Sequence, residues 1–147
     1  MTIERYENLK TGLSRIATSF SDGSVRILSP ISGKTILTLF PPHKYLHVKQ
    51  ISYNMQWCRL FYLCTNGDII AYDTSTSPGR IIQIWESSQL LHINSLFSWS
   101  YNMESVDNYH RSKHNILRLI VGTIDGQIVT LNSGKPEAFL QVLWYYN

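Results

Sequence analysis

The sequence is poor in cysteine and in long apolar runs, and each shortage excludes a class of protein. Two cysteines in 147 residues are too few for a disulfide framework, so both are expected to be reduced thiols. No apolar run reaches the roughly 18 residues that a membrane-spanning helix needs, and the first residues lack the basic-then-apolar order of a secretory signal. We therefore expect a soluble, intracellular, cytoplasmic protein without a membrane partner.

Charge is also scarce. Charged residues make up 16% of the chain and the net charge is +3, whereas a typical soluble domain has roughly 25% charged residues. Basic residues are no denser than pairs such as Arg111 and Lys113, and a nucleic-acid-binding face needs a dense basic patch. Nucleic acid is therefore not an expected partner. The 44% of hydrophobic and 12% of aromatic residues suffice for about one domain and favour edges that are covered by other structure.

The chain contains an internal repeat. Three turn dipeptides mark it: Asp22-Gly23, Asn66-Gly67 and Asp125-Gly126. An arginine lies seven residues before each marker: Arg15, Arg59 and Arg118. A small polar or acidic residue closes each repeat unit after the marker: Ser29, Asp73 and Asn132. The first two markers are 44 residues apart, and the segment 46–51 recurs 45 residues later as 91–96, so two independent patterns give nearly the same period.

Each repeat is predicted to form four short antiparallel strands. Glycine in the markers tolerates the positive φ of tight hairpin turns because it has no Cβ, so the six marker residues are expected to be structural turns. Runs rich in β-branched and aliphatic residues lie between the turns, and no useful helical stripe is present. The predicted strands are 15–20, 25–29, 34–39, 47–53, 59–64, 69–73, 80–85, 93–99, 117–123, 128–131 and 137–144. The residues after Ile3 match the pattern poorly, so the first repeat is expected to lack its first strand.

Four antiparallel strands on a period near 44 residues resemble the WD-repeat family, whose units are the blades of β-propellers. The resemblance covers residues 14–144 and is most specific at 16–27 and at Ser32-Gly33-Lys34. It implies an all-β fold, a partial β-propeller of three four-stranded antiparallel blades in one region, 1–147. The blades are expected at 3–40, 46–86 and 91–144, with an insertion at 101–115.

The signature dipeptide of the family is incomplete in this chain. Its tryptophan is replaced by Leu28, Tyr72 and Leu131, and its aspartate survives only as Asp73. The side-chain network that braces many blades of the family is therefore expected to be incomplete, and apolar packing between blades is expected to be the main support.

The resemblance implies a rigid scaffold for protein–protein interaction. Aromatic and arginine side chains carry much of the energy of interfaces, so the expected partner contacts are loop residues: Lys44, Tyr45, Tyr109 and Arg111. Closed propellers have about four to eight blades, so the chain is expected to be a fragment or short form of a larger propeller protein. The expected partners are other proteins, or further blades from a longer chain or a second copy. The alternative is a truncated product without independent function.

The insertion at 101–115 is polar, and it leaves two alternatives open. Met103, Val106 and Tyr109 recur at a spacing of three residues, so a short amphipathic turn would form if a partner supplied an apolar surface. A disordered surface loop is the other alternative.

No catalytic constellation is recognisable. His43 and His47 with Cys58 and Cys64 are ligand types suited to zinc, but no paired cysteine loop brings them together, and His47 recurs as His92, which favours a structural role. No nucleophile motif or phosphate-binding loop occurs. We expect no enzyme activity, no cofactor and no metal. A metal-dependent propeller enzyme remains the second alternative.

Overall fold

The computed structural model describes residues 3–8, 13–43, 47–86, 92–107, 110–132 and 141–145. Regular structure in these ranges is antiparallel β-strand without helix, which confirms the all-β class. Each successive set of four strands forms one sheet, in chain order from one edge to the other. The strands are β1 (Ile3–Asn8), β2 (Leu13–Ser19), β3 (Val25–Leu28), β4 (Thr35–Leu39), β5 (Val48–Asn54), β6 (Arg59–Cys64), β7 (Ile69–Asp73), β8 (Arg80–Trp85), β9 (Ile93–Asp107), β10 (His110–Thr123), β11 (Gln127–Asn132) and β12 (Gln141–Tyr145). We call β1–β4 the first sheet, β5–β8 the second sheet and β9–β12 the third sheet.

The three marker dipeptides form one kind of tight turn between the second and third strands of each sheet. Their glycines have φ of 82°, 90° and 78°, a left-handed backbone that a side chain would strain. Each glycine N–H donates to the carbonyl three residues earlier, for example Gly23 to Phe20 at 3.0 Å and Gly67 to Cys64 at 2.9 Å. The Asp22 carboxylate also accepts a hydrogen bond from the Ser24 N–H at 2.9 Å. The repeated turn sequence therefore has one repeated backbone conformation.

The second sheet is packed on both faces, and this arrangement creates the core. Successive residues of a strand point to opposite faces, and in β7 both sets are buried. One core cluster joins the second sheet to the first through Ala17, Val25, Ile27, Leu37, Leu39, Ile51, Tyr53, Leu60, Tyr62, Cys64, Ile70 and Tyr72. The other joins it to the third through Phe61, Leu63, Ile69, Ala71, Trp85, Ile93, Leu96, Leu117, Leu119, Val121, Val129 and Leu131. Full burial of one such side chain contributes about 1.5–3 kcal/mol, so sheet stacking is a major source of stability.

Two tyrosines fasten the first sheet to the second. The rings of Tyr62 and Tyr72 lie 4.6 Å apart between centroids. Their hydroxyls donate hydrogen bonds to the carbonyls of Leu39 at 3.4 Å and Phe40 at 2.5 Å. The apolar rings pack in the core, and each hydroxyl has a hydrogen-bond acceptor, so tyrosine suits this partly polar edge of the core.

The first strands of the sheets lie side by side. β1 contacts β5, and β5 contacts β9. Gln50 exchanges two hydrogen bonds with the backbone of Leu96, at 3.0 and 3.1 Å. The buried hydroxyls of Ser52 and Ser98 are 2.8 Å apart. Backbone ladders join strands only within each sheet, so these side-chain hydrogen bonds fix the position of the third sheet relative to the second.

Two expectations about strands were wrong. The first sheet does not lack a first strand, because Ile3–Asn8 pairs with β2 from Ile3↔Thr18 to Asn8↔Leu13. The insertion is neither a loop nor a helical turn, because its backbone extends β9 and β10 in continuous register up to Asp107↔His110. Once residues 93–100 of β9 are paired with β10, each further residue pair closes no new loop and costs little additional chain entropy. The pairing therefore continues through residues that lack an alternating apolar pattern. We call residues 101–107 and 110–116 the hairpin.

The strands of the second sheet agree most closely with the prediction. β6, β7 and β8 have the predicted bounds 59–64, 69–73 and 80–85. The last strand was predicted at 137–144; β12 spans Gln141–Tyr145, and residues 137–140 lie outside the described residues.

Candidate binding cleft between the first two sheets

A cleft of about 450 Å³ opens between the first and second sheets. This volume lies within the range of about 300–1,000 Å³ that is usual for ligand sites. The first sheet contributes the start of β2 and parts of β3 and β4, and the second sheet contributes the end of β5 and the two connections that follow β5 and β7. The lining residues are Arg15, Ile27, Ile36, Leu37, Tyr53, Met55, Cys58, Thr74, Ser75, Thr76 and Ser77. The cleft therefore lies at the opposite end of the sheets from the marker turns.

A buried carboxylate anchors the connection that follows β7, and this connection lines the cleft. Asp73, which ends β7, is 5% exposed, and its Oδ1 accepts hydrogen bonds from the N–H and the hydroxyl of Ser75 at 2.9 and 2.6 Å. The Arg59 guanidinium lies 2.9 Å from Oδ1, and the Arg80 guanidinium lies 3.3 Å from Oδ2. The hydrogen bonds from Ser75, followed by the two arginines, hold the pKa of Asp73 well below its usual value. Asp73 is thus ionised at neutral pH and fixes the connection after β7.

Register explains why these groups meet. Asp73 on β7 is the Cα partner of Arg59 on β6 and of Arg80 on β8. Side chains at paired positions of neighbouring antiparallel strands lie on the same face, so both arginines reach the single carboxylate between them. The repeat therefore places an arginine and the residue that closes the unit opposite each other, and only the second sheet has an acid at that closing position.

Arg15 is the only charged residue that lines the cleft among the described residues. No carboxylate whose side chain the structure describes forms an ion pair with it. Its repeat counterpart Arg59 pairs with Asp73, but the first sheet has Ser29 at the matching position. Arg15 therefore lacks, at the matching repeat position, an acid equivalent to Asp73, which pairs with Arg59.

A tyrosine and a threonine supply further polar groups. The Thr74 hydroxyl donates a hydrogen bond to the Tyr53 hydroxyl at 3.4 Å. Burial raises the pKa of Tyr53 above its usual value, so the phenol stays protonated at neutral pH. The cleft thus combines one cation with neutral hydroxyl groups over an apolar floor.

The two thiols occupy different environments. Cys58 lines the cleft in a left-handed backbone conformation, with φ of 49°, and its thiol donates to the Met55 carbonyl at 3.7 Å. Cys64 is fully buried, and burial, with a smaller effect of Asp68, raises its pKa to about 12. His43 and His47 are exposed. In the part of the chain that the structure describes, no three histidine, cysteine or acidic residues are grouped as metal ligands.

No family model, curated protein or solved structure matches this chain. Among the described residues, no helix has the length and apolar character that crossing a membrane requires.

The predicted partner residues do not line the cleft. Lys44, Tyr45 and Tyr109 lie outside the described residues. Arg111 is on β10, where its Cα is paired with that of Val106 in the hairpin. In the sequence, Arg15 was recognised only as the arginine that recurs seven residues before each marker turn. The signal that could have singled it out is Ser29. The second repeat has Asp73 at the position of Ser29, and Asp73 pairs with Arg59, the counterpart of Arg15.

Proposed function

We propose that this chain is a non-catalytic, WD-repeat-like scaffold, built as part of a β-propeller, that holds another protein. Three antiparallel four-stranded sheets stack face to face, with their first strands adjacent. That arrangement supports the interpretation of each sheet as a propeller blade. The repeat period and the common marker turns support it independently.

The hairpin is the observation that carries the interaction role. The pairing of β10 with β11 ends at Arg118, but the pairing of β10 with β9 continues from Leu117 to His110. Seven residues of β9 beyond Ser100 correspond to about 23 Å of strand. The Ser100 hydroxyl donates to Gln56 Oε1 at 3.1 Å, so the hairpin starts at the same end of the sheets as the cleft.

A two-stranded ribbon on its own is only marginally stable in water. The edge of β10 at residues 110–116 has no neighbouring strand among the described residues, so its backbone groups are available to a further strand. A protein partner that adds a strand or covers one face of the hairpin would supply the missing stabilisation. The expected contacts Tyr109 and Arg111 belong to this part of the sequence.

Cross-linking with mass spectrometry of affinity-captured full chain tests the role. We expect partner cross-links at the hairpin, and at least a tenfold loss of the captured partner with the double change Tyr109→Ala and Arg111→Ala. The matched control is Asp125→Ala, an exposed turn residue at the other end of the sheets, which should leave capture unchanged. Equal capture by all three proteins would contradict the proposal.

The outer face of the third sheet favours the structural alternative, in which further blades complete the fold. Phe97, Trp99 and Ile128 are 59%, 49% and 45% exposed there, although large apolar side chains that share one face of a sheet normally pack against another layer. Size-exclusion chromatography and thermal unfolding of the isolated chain test this account. A monomer that unfolds in one cooperative transition would argue against missing blades, whereas self-association or a broad transition would support them.

A further inference from the structure

We propose that the cleft between the first two sheets binds an extended peptide segment that carries an oxyanion, a carboxylate or a phosphate, and that Arg15 pairs with that anion. This inference deepens the proposed function and rests on it, because it states the chemistry of the protein partner. It uses a surface that is separate from the hairpin.

The local charge balance favours an anion. Arg15 is the only charged residue that lines the cleft among the described residues, and the acid of the second sheet, Asp73, is already shared by Arg59 and Arg80. Arg15 has no carboxylate partner among the described side chains. A guanidinium offers five N–H donors in a planar fork that matches carboxylate and phosphate oxygens. An incoming oxyanion would therefore restore in the first sheet the pairing that Asp73 provides in the second.

The connection after β7 supplies additional donors. Ser75 and Thr74 use their hydroxyl protons within the protein, toward Asp73 and Tyr53. The backbone N–H groups of Thr76 and Ser77 have no acceptor among the described residues, and both residues line the cleft. Unpaired backbone N–H groups beside a cation are a common feature of anion-binding concavities.

The apolar floor argues for a peptide in place of a free ion. Ile27 and Leu37 are buried beneath the cleft, and Ile36 is 46% exposed beside them. A bare phosphate or carboxylate gains nothing from such a surface, whereas an aliphatic side chain next to the charged residue would bury apolar area against it. A volume of about 450 Å³ accommodates two or three side chains of an extended segment, so the favoured ligand carries an acidic or phosphorylated residue beside an aliphatic one.

Fluorescence anisotropy with three labelled peptides tests the inference. The peptides are Gly-Ser-Leu-X-Leu-Ser-Gly, in which X is alanine, glutamate or phosphoserine, and the full chain is titrated at low ionic strength. We expect at least a tenfold tighter Kd for one or both anionic peptides than for the alanine peptide, and this preference should fall as salt is added. Tight binding of phosphoserine alone identifies a phosphate, and tight binding of both shows that a carboxylate suffices. No preference for either anionic peptide overturns the inference.

Two arginine variants make the assignment specific. Arg15→Gln should remove the anionic preference while leaving the far-ultraviolet circular dichroism unchanged. The matched control is Arg118→Gln, the same change at the corresponding repeat position of the third sheet, which should retain it. If Arg15→Gln does not fold, Arg15→Lys keeps the charge but loses the planar fork, and an unchanged Kd in that folded variant would overturn the forked pairing between Arg15 and the anion.

The outcome also separates this inference from the proposed function. Capture that depends on the hairpin, together with no anionic preference in the cleft, refutes only the peptide site. Anion-dependent peptide binding without hairpin-dependent capture refutes the role of the hairpin and leaves the cleft as the binding site.

Discussion

Replacing Asp73 by asparagine tests whether a shared carboxylate holds the second sheet together. Asparagine keeps one acceptor oxygen, so the two hydrogen bonds from Ser75 can persist. The variant loses the negative charge that Arg59 and Arg80 share. The same change produces the residue type that the third sheet has at this repeat position, Asn132.

The expected cost follows from the exposure of the two arginines. The Arg59 side chain is 27% exposed, and a hydrogen bond to an ionised group contributes about 1.5–3 kcal/mol against about 1 kcal/mol for a neutral one. The Arg80 side chain is 68% exposed, so solvent limits its contribution to at most about 1 kcal/mol. We expect Asp73→Asn to lower the free energy of unfolding at pH 7 by about 1–2 kcal/mol, or the Tm by roughly 3–8 °C.

The pH dependence provides a second test. The folded-state pKa of Asp73 is lowered by the Ser75 hydrogen bonds and the two arginines, so the folded protein binds this proton more weakly than the unfolded chain does. The stabilisation is therefore present above the ordinary aspartate pKa of about 3.8 and is lost as the pH falls through the folded-state pKa. The difference between wild type and Asp73→Asn should be constant from pH 7 to about pH 5 and should narrow below about pH 4.

Urea denaturation followed by tryptophan fluorescence measures these differences. The control is Asp125→Asn, which removes the same charge at an exposed turn and should cost less than about 0.5 kcal/mol. Equal losses for the two variants at pH 7, or an Asp73→Asn loss that stays the same at pH 3, would refute the reasoning about the shared carboxylate.

The cysteines and glycines of the second sheet and its neighbour allow two further tests. Because burial raises the pKa of Cys64 to about 12, a disulfide reagent at pH 8 should modify Cys58 in the folded protein and Cys64 only after denaturation. Cys58→Ser should therefore abolish the reaction of the folded protein. Rapid labelling of that folded variant would contradict the assignment. A Cβ at Gly79 would lie 2.3 Å from Leu39 Cδ2, so Gly79→Ala should destabilise the fold by about 1–3 kcal/mol. The control is Gly33→Ala, whose new Cβ meets no atom within 4 Å, so that only the backbone φ of 65° is strained; it should lower the free energy of unfolding by about 1 kcal/mol. If urea denaturation gives an equal or smaller loss of unfolding free energy for Gly79→Ala, the Leu39 side chain moves aside without cost and the reasoning is wrong.

Local chemistry explains which strands could be predicted. The strands of the second sheet lie between a marker turn, an outer turn rich in serine and proline, and runs of β-branched residues, so each boundary has its own local signal. The first strand lacks such a signal. The poor match of its sequence to the repeat predicted that β1 would be absent, yet backbone pairing with the edge of β2 needs only available N–H and C=O groups. The hairpin was missed for the same reason, since its polar residues have no apolar alternation to detect.

The sequence by itself determined the turns, the repeat and hence the all-β class, because glycine conformation and strand alternation act over a few neighbouring residues. Only the tertiary structure decided which faces stack, that Asp73 is shared by two arginines, and that Arg15 lies in a cleft with Thr76 and Ser77. These contacts join residues from different sheets or strands, and their energies depend on distance and burial in three dimensions. A repeat pattern can mark Arg15 and Arg59 as equivalent positions, but the burial of Asp73 beside only one of them makes their environments different.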